Sequence, residues 1–168
     1  MRVALAATAL LVVCFAAFAQ KGDDKATFAA MYKQAEKAFE TKNVKMLQGW
    51  MTPDYTEGAM GKTMNAQQAM KDLQQFFGMF KTLHMKFVVH SVKVNGNMAT
   101  TTDTGHLWGD SSMVDPKSKK SHKVSASRDE TMTWVKMGNR WAVKKIVATN
   151  EKMMMDGKPY MPQMPKRK

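Results

Sequence analysis

The residues best suited to chemistry in this chain are four charged groups, Glu57, Asp103, Arg128 and Glu130. Arg128 and Glu130 stand two apart in an alternating run, which puts both on one face of a strand. A guanidinium presents a planar fork of donors, so Arg128 can pair two carboxylates at once or serve with them as a polar anchor for a small molecule. Glu57 and Asp103 are the carboxylates available as a base. Other chemistries lack their parts. His84, His90, His106 and His122 have no compact spacing with a carboxylate, so no metal site is expected. No glycine-rich phosphate loop and no Gly-x-Ser-x-Gly turn occurs. No cofactor is implied, and no residue is assigned a catalytic role.

Thioethers are the other unusual resource, with 18 methionines in 168 residues. Leucine is scarce beyond the N-terminal segment (Leu47, Leu73, Leu83, Leu107), so Met31, Met46, Met70, Met85 and Met132 read as core residues standing in for it. Met153, Met154, Met155, Met161 and Met164 fall in a Met-, Pro- and Lys-rich stretch, 153–168, expected to form a tail after the last strand. That tail would bind Cu(I), pack over the domain or a dimer partner, or absorb oxidants.

The chain carries 44% hydrophobic and 24% charged residues, the make-up of one soluble domain. A single cysteine, Cys14, excludes a disulfide framework. Arg2, the apolar run 3–18 and the small-x-small triplet Ala17-Phe18-Ala19 form a signal peptide over 1–19, predicting export to the periplasm or exterior. The formal charge is +12, yet the lysines are scattered and arginine is scarce, so no nucleic-acid partner is expected. Clusters at Lys117, Lys119, Lys120 and Lys123, and at Lys166-Arg167-Lys168, would make weak contact with an anionic envelope surface.

These groups must be held by a folded frame. Phe28, Met31, Tyr32, Ala35, Ala38 and Phe39 recur at helical spacing, predicting a helix over 25–41. A second short helix over 44–51 is expected to stop at Thr52-Pro53-Asp54, completing a helical hairpin. A third spans 66–80, with Asn65 as its N-cap. From residue 83 the period becomes two. Strands are predicted over 83–95, 98–108, 124–136 and 140–150, with tight turns at Asn95-Gly96-Asn97 and Met137-Gly138-Asn139 and a long polar loop over 109–121. Helices followed by an antiparallel meander define an α+β domain, 20–152, with one sheet face packed on the helices.

This order resembles the nuclear-transport-factor-2-like superfamily, the cone-shaped fold of steroid isomerases and SnoaL-type polyketide cyclases. The resemblance rests on the segments Ala38-Phe39-Glu40-Thr41-Lys42-Asn43, Trp50-Met51-Thr52-Pro53-Asp54-Tyr55, Val94-Asn95-Gly96-Asn97-Met98-Ala99 and the run from Thr133 to Trp141. It implies a curved sheet closing on the helices around a pocket, with Ala99 and Trp134 facing inward. In that register Thr101, Asp103, Gly105 and Leu107 share the face of Ala99, and Arg128, Glu130 and Met132 share that of Trp134. The isomerase arrangement asks for a base where Ala59 stands and for a helix tyrosine about one turn after Tyr32. Only Glu130 falls near a family acid position, and Glu57 would have to replace the base.

The reading that follows is an exported cone-fold protein binding a small, partly apolar molecule. Tyr32, Trp50, Met132 and Trp134 would form apolar walls, and Asp103, Arg128 and Glu130 polar anchors. Three alternatives stay open: an isomerase or cyclase using Glu57 or Asp103, a homodimer built on the sheet face bearing His84 and His90, and the Cu(I)-binding tail.

Overall fold

The computed structural model describes residues 24–59 and 61–160. The signal peptide, Met60, Met161, Met164 and the Lys166-Arg167-Lys168 cluster lie outside them. Helix α1 (Asp24–Glu40) buries Phe28, Tyr32 and Ala38 on the stripe expected from their spacing. Helix α2 (Val44–Gln48) starts at Asn43, whose side chain accepts the Met46 N–H. Helix α3 (Ala66–Gly78) opens on a capping box in which Asn65 and Gln68 satisfy each other's backbone N–H. It ends sooner than its apolar run suggests, because Phe80 already pairs with Ser111 in the sheet.

The strands are β1 (Met51–Ala59), β2 (Lys62–Asn65), β3 (Phe80–Asn95), β4 (Met98–Val114), β5 (Ser121–Met137), β6 (Arg140–Met155) and β7 (Lys158–Pro159). They form one mixed sheet in the order β2-β1-β6-β5-β4-β3, with β7 on β6. Only the β1–β6 pairing is parallel. Both expected hairpins are present, each opening on a glycine at positive φ, Gly96 at 58° and Gly138 at 62°. One face packs on α1 and α3, where Phe28 meets Trp134 edge-on at 5.2 Å and Phe39 meets Phe77 at 5.6 Å.

Three sequence expectations need correction. The second helix ends at Gln48 rather than at 51, and strand β1 starts at Met51 and runs through the expected stop at Thr52-Pro53-Asp54. Pro53 is tolerated because the β1–β6 register is interrupted between Met51 and Thr56, so its missing N–H removes no ladder bond. The long loop shrinks to 115–120, closed by Asp115, whose carboxylate accepts the N–H groups of Lys117 and Ser118. Residues 110–114 extend β4, and the two serines among them find partners: Ser111 Oγ donates to the Met79 carbonyl and Ser112 Oγ to that of Gly78. The last strand does not stop at Asn150. That residue takes a positive φ of 51° at a register shift, and β6 continues to Met155. Met153 and Met155 therefore pack on the core and pair with Ala126 and Val124, so the stretch 153–155 is sheet rather than tail.

Candidate functional site

Along β4 the side chains of Ala99, Thr101, Asp103 and Leu107 are buried, and Gly105 shares their face. Along β5, Glu130, Met132 and Trp134 are buried and Arg128 is half-buried. The inward parity is thus present on both strands. Asp103 and Glu130 are directly opposed in the ladder, as are Thr101 and Met132. Register shifts bend the sheet beside these positions, at Val89/Ser91 on the β3 side and at Ser127/Asp129 on the β6 side.

A polar row results. Trp134 Nε1 donates to Thr101 Oγ1 at 2.9 Å, Thr101 pairs with the Tyr32 hydroxyl at 2.7 Å, and Tyr32 donates to Asp103 Oδ2 at 2.6 Å. Since the Tyr32 proton is committed to the carboxylate, Thr101 must donate to the Tyr32 oxygen, and all three donors point one way. On the other side Tyr55 donates to Glu57 Oε2 at 2.9 Å, while Arg128 binds Glu57 Oε1 at 3.1 Å and Glu130 Oε1 at 2.5 Å. Arg128 does fork between two carboxylates, but they are Glu57 and Glu130 rather than Asp103 and Glu130.

Between the halves lie Asp103 Oδ1 and Glu130 Oε2, buried atoms to which no other group donates. Their residues are 1% and 4% exposed, which keeps them from bulk solvent. Two ionised carboxylates here would face each other with no donor. Burial, reinforced by the charge of Glu130, pushes the Asp103 carboxyl up to about 7. One proton on Asp103 resolves the conflict, because its O–H then donates to Glu130. Burial also raises the Tyr32 hydroxyl well above its usual range, with the Asp103 charge adding to it, so Tyr32 remains a donor. For Arg128 the loss of hydration works against the charge, but Glu130 and Glu57 outweigh it and hold the guanidinium protonated.

The row is packed rather than bordering an open hollow. The Tyr32 ring lies 5.2 Å from Phe87 and 6.2 Å from Trp134, and the Met132 sulfur lies 3.9 Å from the Tyr32 hydroxyl oxygen. Approach is from Arg128, a third of whose side chain is exposed. Two concavities lie elsewhere, one lined by Thr82, His84, Trp108 and Lys123, the other by Asp115, Ser118, His122 and Asp156. Trp50 packs at the border of the apolar cluster and makes no hydrogen bond or ring contact with the row among the described residues. Tyr55 and the pairing of Glu57 with Arg128 were missed by sequence reasoning; the period-two spacing of Tyr55 and Glu57 signalled only that these two share a strand face, and it was hidden by Pro53 between predicted elements.

No family model and no curated protein sequence matches the chain. Solved structures do. A putative scytalone dehydratase from Novosphingobium aromaticivorans superposes with a TM-score of 0.67 at 11% identity, covering 79% of this chain and 87% of its own. A nuclear transport factor 2-like superfamily protein from Salmonella enterica serovar Typhimurium gives 0.63 at 12% identity, covering 77% and 92%. A type 2 hexachlorocyclohexane dehydrochlorinase gives 0.62 at 13% identity, covering 84% and 97%. The chain therefore has the nuclear-transport-factor-2-like cone fold. At these identities the likeness speaks for architecture alone.

Proposed function

We propose that this is an exported protein that binds a small, partly apolar molecule inside the cone. Tyr32, Met132 and Trp134 supply the apolar wall beside Asp103, Glu130 and Arg128, with Trp50 at the border. One observation carries this reading: two carboxyl groups on adjacent strands, Asp103 and Glu130, are buried face to face and depend on a single proton between them. A domain built only to be stable has no use for them, since well-packed hydrocarbon in the same space is as stable or more so. Small-molecule enzymes among the structurally similar proteins agree with this use of the fold, as an analogy.

Purification from the native host followed by native mass spectrometry tests the proposal. A copurifying adduct of low mass, lost in Arg128→Ala and Glu130→Ala, is expected. Adduct-free protein whose alanine variants differ only in stability would overturn it.

A second reading, proton transfer of the isomerase or cyclase kind with Asp103 as acid or base, draws on its ionisation near neutrality and its contact with Tyr32. Glu57 suits the role of base poorly, being engaged by both Arg128 and Tyr55. An enzyme would lose turnover, not only affinity, in Asp103→Asn.

A further inference from the structure

The sheet face turned away from the cone carries an exposed indole in polar surroundings. Leu107 is buried, so by strand alternation Trp108 and Asp110 point outward on β4. Across the ladder Trp108 is opposed by His84 on β3 and Ser125 on β5, and Asp110 by Thr82 and Lys123. Two rows result, about 7 Å apart along the strands. In the first, the His84 ring stacks on the indole at 5.6 Å and 25°, with its Nδ1 3.7 Å from Glu40. His84 covers one side of the indole, no other ring meets it among the described residues, and Trp108 is 46% exposed. In the second, Asp110 Oδ2 accepts from Thr82 Oγ1 at 2.9 Å and Asp110 Oδ1 from Lys123 Nζ at 2.6 Å. Gly109 allows this close approach, since a Cβ there would sit 2.0 Å from the Thr82 carbonyl oxygen. The two rows border a concavity of about 280 Å³.

We propose that this concavity is a second binding site and that its ligand is a neutral saccharide, one pyranose ring lying on the open side of Trp108 with adjacent hydroxyls on Asp110 and Lys123. The site is separate from the cone and does not rest on the reading above. A pyranose with equatorial hydroxyls has C–H groups on its faces and hydroxyls around its rim. It therefore asks for an apolar plane with donors and acceptors a few ångströms to the side, which is how the two rows are laid out. Neighbouring hydroxyls each donate and accept, so they need a donor and an acceptor side by side. Lys123 has two N–H groups left after its bond to Asp110, and each Asp110 oxygen retains a lone pair. Hydrogen bonds from Lys123 and Thr82 hold the Asp110 carboxyl below its usual range, so it stays an acceptor. The Asp110–Lys123 pair sums to zero charge and selects neither an anion nor a cation. A second copy of the chain fits this face less well. The next row along it, Lys86, His106 and Ser127, is polar too, whereas the core of a dimer interface needs contiguous apolar surface.

The experiment is a titration of the nitrogen-15-labelled intact protein with cellotriose and with triacetylchitotriose, followed by NMR at the indole N–H signals of its four tryptophans. Sorbitol, which has hydroxyls but no ring face, and cyclohexanol, which has a ring and a single hydroxyl, are the controls. At least one saccharide should shift the Trp108 signal saturably, with a dissociation constant of about 1 mM or below, and leave those of Trp134 and Trp141 in place. Both controls should bind at least tenfold more weakly. By calorimetry, Trp108→Ala should lose at least tenfold in affinity. Lys123→Ala, whose side chain is 77% exposed and whose removal spares the fold, should lose about fivefold. A Trp108 signal that neither saccharide moves, a control that binds as tightly as the saccharides, or undiminished affinity in Trp108→Ala would each overturn the proposal. So would a Trp108 signal that moves with protein concentration alone, the mark of a second copy on this face. Since Trp108 lies across the sheet from Asp103 and Glu130, none of these outcomes bears on binding inside the cone.

Discussion

Asp103 and Glu130 oppose each other across β4 and β5, and each has one carboxylate oxygen that no other group serves. Everything else in the row is directional around that pair. Donors from Trp134, Thr101 and Tyr32 converge on Asp103, while Arg128 holds the far oxygen of Glu130.

Stability should fall as pH rises through neutrality. The Asp103 carboxyl binds its proton more tightly folded, at about 7, than at its ordinary value of 3.8. The native state then holds the extra proton, so the contribution is complete below about pH 4 and lost as pH climbs through 7. At ~1.4 kcal/mol per pH unit the whole span is on the order of 4 kcal/mol. Urea unfolding at pH 5 and pH 8 should give a higher midpoint at pH 5. Equal midpoints would remove the shared proton.

Asp103→Asn copies the protonated acid: its amide oxygen accepts from Tyr32 and its N–H donates to Glu130. At pH 8 this variant should be at least as stable as the parent, with a flat profile between pH 5 and 8. A variant less stable than the parent by more than about 1 kcal/mol at pH 8 would show that Asp103 works as a carboxylate there.

Arg128→Ala strips the countercharge from Glu57 and Glu130, whose side chains are 12% and 2% exposed. Loss of about 3 kcal/mol is expected at pH 7. Since Arg128 also works to lower the Asp103 value, the pH transition should move upward in the variant. A downward move, read from the same urea series, would contradict the pairing described.

Gly109 is fixed by backbone contact. A Cβ there would sit 2.0 Å from the Thr82 carbonyl oxygen, part of the facing strand and unable to swing aside. Gly109→Ala should cost more than ~2 kcal/mol. Gly78→Ala, whose added methyl meets nothing within 4 Å at the end of α3, should be neutral or stabilising by up to ~1 kcal/mol. Thermal melts of the two variants side by side decide it.

The fold was legible where local rules act alone. Helical spacing from Phe28 to Phe39, the Asn65 cap, and the glycines at 96 and 138 each work within a few residues. The errors occur where a local signal is overruled at a distance. Asn150 reads as a stop, yet a positive φ at a bulge lets β6 continue because Val124 to Ser127 offer a ladder on the other side. Residues 110–114 read as loop until Ser111 and Ser112 find the end of α3. For the site, period-two spacing puts Arg128 with Glu130, but only a family resemblance could say which face was inward. The partnership of Glu57 with Arg128 depends on a β-strand 71 residues away, which no spacing encodes.

The central claim, one proton held between Asp103 and Glu130, is tested most directly by carbon-13 NMR of the side-chain carboxyls between pH 4 and 9. One carboxyl should titrate near pH 7 in the parent, and that signal should be absent from Asp103→Asn. If every aspartate and glutamate has finished titrating by about pH 5, the two carboxylates are both ionised at neutrality and the shared proton does not exist.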